Sequence, residues 1–328
     1  MLANKQSLTS VLIEGVNKIK NDNPEVSLNQ GLVLEWIGVG LQTEAYNKVQ
    51  NRRSKELYDL FKWKGYRSVV LKGQGTALYY PHPEHRACGD IDLWVEGDRE
   101  AILDFIRKQG YQVDSIDIKH AEIRFFDDVP VEIHFLPSWM YCPTTNRHLQ
   151  RFFAWEADKQ FGSFDERIGF AHTTINFDLV YSMVHIYRHI FSEGIGLRQL
   201  VDYYYILQCS TEELRQQSFS VLKSLRMASF AGGVMWILCE CFGMKEEYKL
   251  CSLNERNGQF LLSEIMIAGN FGHSDERTKQ VSKNKKFMRG LVQLGRNLRF
   301  VSYYPIEVLW SPFWKLWHWG WRKKKGYL

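Results

Sequence analysis

Apolar residues recur at every second position only inside one window of this chain, roughly residues 66–137. On both sides the recurrence lengthens to three or four. Strands are therefore confined to a short central stretch, with helices before and after it. Within the window "RSVVLK" (67–72) reads as a strand, and Gly73 and Gly75 interrupt it. "TALYY" (76–80) reads as a short helix and "DIDLWVE" (90–96) as a second strand. "DREAILDFIRKQG" (98–110) follows as a helix, with Asp98 at its N-cap and Gly110 as its terminator. "AEIRFF" (121–126) and "PVEIHFL" (130–136) read as two strands joined by a turn at "DDVP". The pattern predicts an α+β fold: a small mixed β-sheet core with flanking helices, followed by a mostly helical domain. The expected boundaries are 1–65 for a helical segment packed on the core, 66–165 for the α/β core and 166–328 for the helical domain, where strands stop.

A chain of 328 residues, 45% apolar and 24% charged, is long enough for two domains with sizeable cores. Its net charge of +5 is too mild to establish a nucleic-acid partner, although basic residues cluster in "KNKK" (283–286), "RNLR" (296–299) and "WRKKKGYL" (321–328). The six cysteines include no C-x-x-C pair, which points to free thiols in a reducing compartment rather than to a disulfide frame or a zinc site. The opening residues lack the layout of a signal peptide. The longest apolar run, around 229–244, is too short to span a bilayer and carries Glu240. A cytoplasmic protein is expected. "GQGTAL" lacks the third glycine of a dinucleotide fingerprint, and there is no P-loop, no H-E-x-x-H and no nucleophile elbow.

Two acids stand in the second strand. Alternation puts Asp90 and Asp92 on one face, with Ile91 on the other. Paired carboxylates in an apolar strand repel each other unless a cation lies between them, and Mg²⁺ or Mn²⁺ is the natural oxygen-bound partner. Glu132, the only acid in "PVEIHFL", would supply a third carboxylate, and three carboxylates can hold two ions. The plainer alternative is a salt bridge from the pair to Lys72 or Arg86. The glycines that follow Lys72 favour the ion-binding reading, because a glycine turn lets backbone N–H groups approach a phosphate.

The run "LKGQGTALYY…R…GDIDLWV…VEIHF" resembles the uncharacterised nucleotidyltransferase family of the polymerase-beta-like superfamily. The resemblance implies a nucleotidyltransferase core and a transferase that binds an NTP such as ATP with two Mg²⁺ ions. It implies Asp90, Asp92 and Glu132 as catalytic metal ligands, and Gly73 as the phosphate-turn glycine. Lys72, Gln74 and Arg86 would join it at the phosphates, and His134 would line the site. Gln74 stands where the wider superfamily usually has serine. That departure keeps open a non-catalytic nucleotide-binding or regulatory module of the same fold. A toxin-like enzyme that modifies tRNA or a protein is also open. The acceptor is an RNA, a protein, or a saccharide or other small molecule. Lys283, Lys285, Lys286, Arg296 and Arg299 are the residues that would favour RNA.

His185 and His189 lie four apart, on one helix face. They read as a partly buried pair, and the resemblance implies that they line the substrate. In "VLWSPFWKLWHWGWRKKKGYL" (308–328), Trp310, Trp314, Trp317 and Trp321 form one helical stripe followed by four basic residues. Packing on the helical domain, peripheral membrane contact and RNA contact all fit this stretch. Pro312 is expected to set the start of its helix.

Overall fold

The structure is a computed structural model, and it describes residues 2–25, 27, 29–192, 194–268, 295 and 297–327. Two compact units emerge. The first comprises Met1–Asp114, Ala121–Phe135 and Gln160–Thr173, and the second Ser115–His120, Leu136–Lys159 and Thr174–Leu328.

The first unit begins with helices α1 (Leu2–Lys5), α2 (Thr9–Asp22) and α3 (Gln30–Lys64). Asn29 caps α3 by accepting a hydrogen bond from the Leu32 N–H at 3.1 Å. Gly65 ends it at φ 91°, a left-handed conformation that glycine adopts without a Cβ clash. Strand β1 (Ser68–Val70), the helical turn α4 (Gln74–Ala77), strand β2 (Ile91–Val95) and helix α5 (Arg99–Lys108) follow. The Asp98 carboxylate caps α5 through the Ala101 N–H at 3.1 Å, as its sequence position predicts.

Strands β3 (Gln112–Ile116), β4 (His120–Arg124) and β5 (Val131–His134) complete a five-stranded sheet of order β1-β2-β5-β4-β3. β1 runs antiparallel to β2, with Val70 opposite Leu93. β2 and β5 run parallel, and their register sets Asp92 beside Glu132 and Trp94 beside His134. Leu93 and Ile133 point from these two strands into a core where Phe61, Leu71, Ile102, Leu103 and Ile106 are fully buried.

The sheet corrects the sequence reading in three places. β3 was not anticipated, because "QVDSI" carries a glutamine and an aspartate and lies at the sheet edge, mostly in contact with water. The helical turn comes earlier than "TALYY" suggests, since Gly73 starts it at once. Strands also continue beyond residue 165: β6 (Phe164–Asp165) and β7 (Phe170–Ala171) form a small hairpin, and Val70 bridges to His172.

The second unit is built from α6 (Pro143–Phe161), α7 (Ile175–Ser192), α8 (Leu197–Cys209), α9 (Glu212–Ser224), α10 (Ala228–Phe242), α11 (Glu255–Ala268) and α12 (Pro305–Lys325). Its packing relies on small residues. A Cβ on Gly258 would come within 2.4 Å of the Trp236 ring, and one on Gly233 within 2.9 Å of Asn257, so α10 and α11 approach only because both positions are glycine. α12 starts at Pro305 rather than near Pro312. Pro305 occupies the first helical turn, where a missing N–H costs little. Pro312 lies on the solvent side, where water can take over the carbonyl it frees. Lys283, Lys285, Lys286 and Arg296 lie outside the described residues. Arg299 is described, and it pairs with Glu264 at 2.9 Å.

Candidate active site

Asp92 is the second residue of β2, and Glu132 sits at the same level on the neighbouring parallel strand β5. Asp90 precedes β2 by one residue. Ligand oxygens of Asp90, Asp92 and Glu132 all lie within 4.8 Å of one another. A lysine and a histidine reach into this set. Lys72 Nζ lies 2.8 Å from Asp92 Oδ2. His134, two residues after Glu132 and therefore on its face of β5, offers Nε2–H to Asp92 Oδ1 at 2.9 Å and to Glu132 Oε2 at 3.2 Å. The salt bridge to Lys72, which the sequence set against a metal site, is therefore present, and it coexists with the acid cluster.

The electrostatics separate the two aspartates. Burial pushes the Asp92 carboxyl up, but Lys72 and the His134 hydrogen bond outweigh it and hold it below the usual carboxylate range. Asp90 goes the other way: the Asp92 charge and its own burial raise it, and Lys72 offsets this only in part. Burial lowers His134, yet its bonds to Asp92 and Glu132 leave it raised overall. Lys72 and His134 thus both lean on Asp92. Of the two aspartates, Asp90 holds its proton to the higher pH. A divalent cation would displace that proton and relieve the repulsion, so the oxygen-rich donor set fits a hard metal ion.

The loops around the acids depend on α3. Gly73 adopts φ 56° and ψ −113°, a region open to glycine, and a Cβ there would face the Asp90 carbonyl at 3.8 Å. Gln74 directs its amide to α3: Nε2 donates to Asn51 Oδ1 at 2.8 Å and to the Asn47 carbonyl at 3.2 Å. Asn47 Nδ2 donates to the carbonyls of Glu84 and Arg86 at 2.7 and 3.0 Å. Tyr46 and Gln50 both donate to the Gly89 carbonyl, at 3.2 and 2.6 Å. Arg86 is itself buried. One helix face therefore holds the glycine turn and the approach to Asp90 together. Sequence reasoning passed over Tyr46, Asn47, Gln50 and Asn51. The available signal was polar side chains at one-, three- and four-residue spacing on a helix face that the apolar pattern assigns to the interior.

A cavity of about 490 Å³ opens beside the acids. Asp90 and Glu132 line it, together with Asp114, Glu122, Asp127 and Asp128. Arg124 lies 3.6 Å from Asp114, and Arg53 forms a hydrogen-bonded pair with Asp128 at 2.9 Å. The lining stays acidic on balance. His185 and His189 belong to α7 in the second unit, where their rings pair at 4.2 Å, and neither is part of a metal-competent group among the described residues.

A family model described as an uncharacterised nucleotidyltransferase matches residues 1–243. No curated protein matches the chain. Among solved structures, the chain is similar to an antigenic nucleotidyltransferase-like protein from Paracoccidioides brasiliensis. That likeness covers 64% of this chain and 96% of that one, at 11% identity and a TM-score of 0.36.

Proposed function

This chain belongs to the family of uncharacterised nucleotidyltransferases, and from that premise we propose that it moves a nucleoside monophosphate from an NTP to an acceptor, releasing pyrophosphate. The observation that carries this reading is the convergence of Asp90, Asp92 and Glu132 within 4.8 Å, beside a cavity that can take a substrate. When bound there, two Mg²⁺ or Mn²⁺ ions held by these carboxylates would supply Lewis-acid stabilisation for the transferring phosphoryl group and lower the pKa of the attacking oxygen. Lys72 and the Gly73 turn meet the NTP phosphates, the lysine as a point charge and the glycine through exposed backbone. Arg86, itself buried, would add positive charge at the phosphates. Glu132, partly exposed, accepts the acceptor's proton. His134 holds Asp92 and Glu132 in register for these roles.

The acidic cavity bears on the acceptor. A tRNA or other polyanion would be repelled by Asp114, Glu122 and Asp127, so a saccharide or another neutral or amine-bearing small molecule is the favoured class. The setting is cytoplasmic, with peripheral membrane contact through α12. A second reading, a nucleotide-binding module without turnover, draws on Gln74, which brings no serine hydroxyl to the phosphates and commits its amide to α3.

Thermal shifts of the full chain with each of the four NTPs, with and without Mg²⁺, combined with pyrophosphate release, separate the readings. Transfer requires a Mg²⁺-dependent shift and pyrophosphate release that Asp92→Asn abolishes. A shift without pyrophosphate release supports the binding module. No shift with any NTP sinks both.

A further inference from the structure

Helix α12 buries only one side of itself. Glu307, Ser311, Trp314, His318 and Trp321 fall three or four apart along that side and are buried or half-buried. His318 Nε2 lies 3.1 Å from Asp117 Oδ1, and the rings of Trp314 and Trp321 stack on its imidazole at 4.6 and 5.7 Å. Tyr141 packs on Trp314 at 5.2 Å. These contacts fix the rotation of the helix about its own axis.

The opposite side carries large apolar side chains in water. Phe313 is 68% exposed and Leu316 69%, with Leu309, Trp310, Trp317 and Trp319 around them. Scattered exposed leucines are ordinary, but six large apolar side chains on one face form a patch. The charge beside it has a single sign. From Val308 to the last described residue, Tyr327, the chain holds Lys315, Arg322, Lys323, Lys324 and Lys325 and no carboxylate side chain. Lys323 Nζ sits over the Trp319 ring at 5.5 Å, joining the cationic turn to the aromatic face.

We propose that this face docks on an anionic phospholipid surface, with α12 lying in the headgroup plane. Indole rings bury an apolar body while keeping an N–H at the polar level, and lysines next to them meet lipid phosphates. The apolar face runs from Leu309 to Gly320, about 18 Å of helix at 1.5 Å per residue. No helix among the described residues is long and apolar enough to cross a membrane, so the helix lies on the bilayer and does not span it. A second copy of the chain is a poorer occupant, because two such faces bring ten cations to one interface without an acid between them. RNA would satisfy the lysines but leave Leu309, Phe313 and Leu316 in water. The proposal shares only the membrane contact with the functional reading, and it stands whether or not the carboxylates are catalytic.

Flotation of the full chain with vesicles of phosphatidylcholine, alone or mixed with phosphatidylglycerol, tests it. Binding to the mixed vesicles is expected to exceed binding to the neutral ones by at least about tenfold, with a blue shift of tryptophan emission. Combining Phe313→Ser with Trp317→Ser is expected to lower binding by about tenfold or more. The triple change of Lys323, Lys324 and Lys325 to Glu does the same at low salt. Both variants keep the parent melting temperature, because the altered side chains are exposed. Asp92→Asn leaves flotation unchanged, which keeps this test apart from that of the chemistry. Unaltered flotation of both tail variants overturns the proposal. So does a dimer that Phe313→Ser disperses in the absence of vesicle binding, or RNA binding in its place.

Discussion

Each unit of this protein buries carboxylates, and the two units treat them differently. In the second, Glu307 accepts hydrogen bonds from the Tyr141 N–H at 2.8 Å, the Cys142 N–H at 3.2 Å and the Thr145 hydroxyl at 3.3 Å. Arg188 approaches it at 3.5 Å while stacking on the Tyr141 ring. One acid thus has three hydrogen-bond donors and a guanidinium nearby, and two of the donors are the backbone N–H groups just before α6. In the first unit, Lys72 and His134 both lean on Asp92, and His134 reaches Glu132 as well. A buried acid with a full set of donors is a structural staple. The acids of the first unit instead stand close enough together for a metal ion to join them.

That contrast can be broken by experiment. Asp92→Asn should reduce nucleotidyl transfer by at least about 10³-fold, roughly 4 kcal/mol of barrier, with secondary structure retained. Single-turnover pyrophosphate release measures it, and near-normal turnover would place the chemistry elsewhere. Glu307→Ala should instead cost roughly 3 kcal/mol of stability in urea unfolding, since it strands Arg188 and two buried N–H groups. An unchanged midpoint would show that Glu307 is no staple. Asn51→Ala leaves the Gln74 amide only its bond to the Asn47 carbonyl and loosens the glycine turn, for a loss of about 1–2 kcal/mol in kcat/KM with Mg²⁺ binding intact. Titrating the Mg²⁺-induced thermal shift alongside kcat/KM separates that effect from damage to the metal ligands.

Asp90→Asn gives the smallest change and the most diagnostic sign. In EDTA it should stabilise the protein slightly, because the repulsion from Asp92 is relieved, while abolishing the Mg²⁺-induced rise in melting temperature. A destabilised variant would mean that Asp90 is compensated as fully as Glu307.

The pH profile of the metal-free protein sharpens the same comparison. Asp92 is lowered on folding, so its stabilisation is complete above about pH 4 and drains away as pH falls through its folded value. His134 is raised, so its share is complete below about pH 6.5 and is lost as pH rises through its folded value. Burial raises Glu307, against the pull of Arg188, so acid does not weaken its site in the same way. Acid is therefore expected to weaken the Asp92 site but not the Glu307 site, and urea unfolding of Asp92→Asn and Glu307→Ala beside the parent, in acid and near neutrality, measures the difference.

Much of this was legible in the residues. The period-two window placed the sheet, the D-x-D strand and the later glutamate marked the acids, and the alternation of Glu132 and His134 put both on one face. The polar edge strand β3 escaped because Gln112 and Asp114 carry no apolar alternation. The α3 face that holds the glycine turn escaped because Asn47 and Gln50 bond to backbone, and Asn51 to the Gln74 side chain, far away in the chain, which local pattern does not register.

What the sequence by itself determined is the inventory: which stretches are strands, which acids stand among apolar neighbours, and where a left-handed glycine must break a strand. These follow from local sterics and from the burial of alternating residues. Only the tertiary structure decided how the acids are compensated. The parallel register of β2 and β5, contacts from Lys72 and His134 separated from Asp92 by 20 and 42 residues, and the direction in which α12 turns its tryptophans all depend on which surfaces meet. The balance of charge in a buried site is a property of that meeting, because burial and Coulomb interaction act through space and not along the chain.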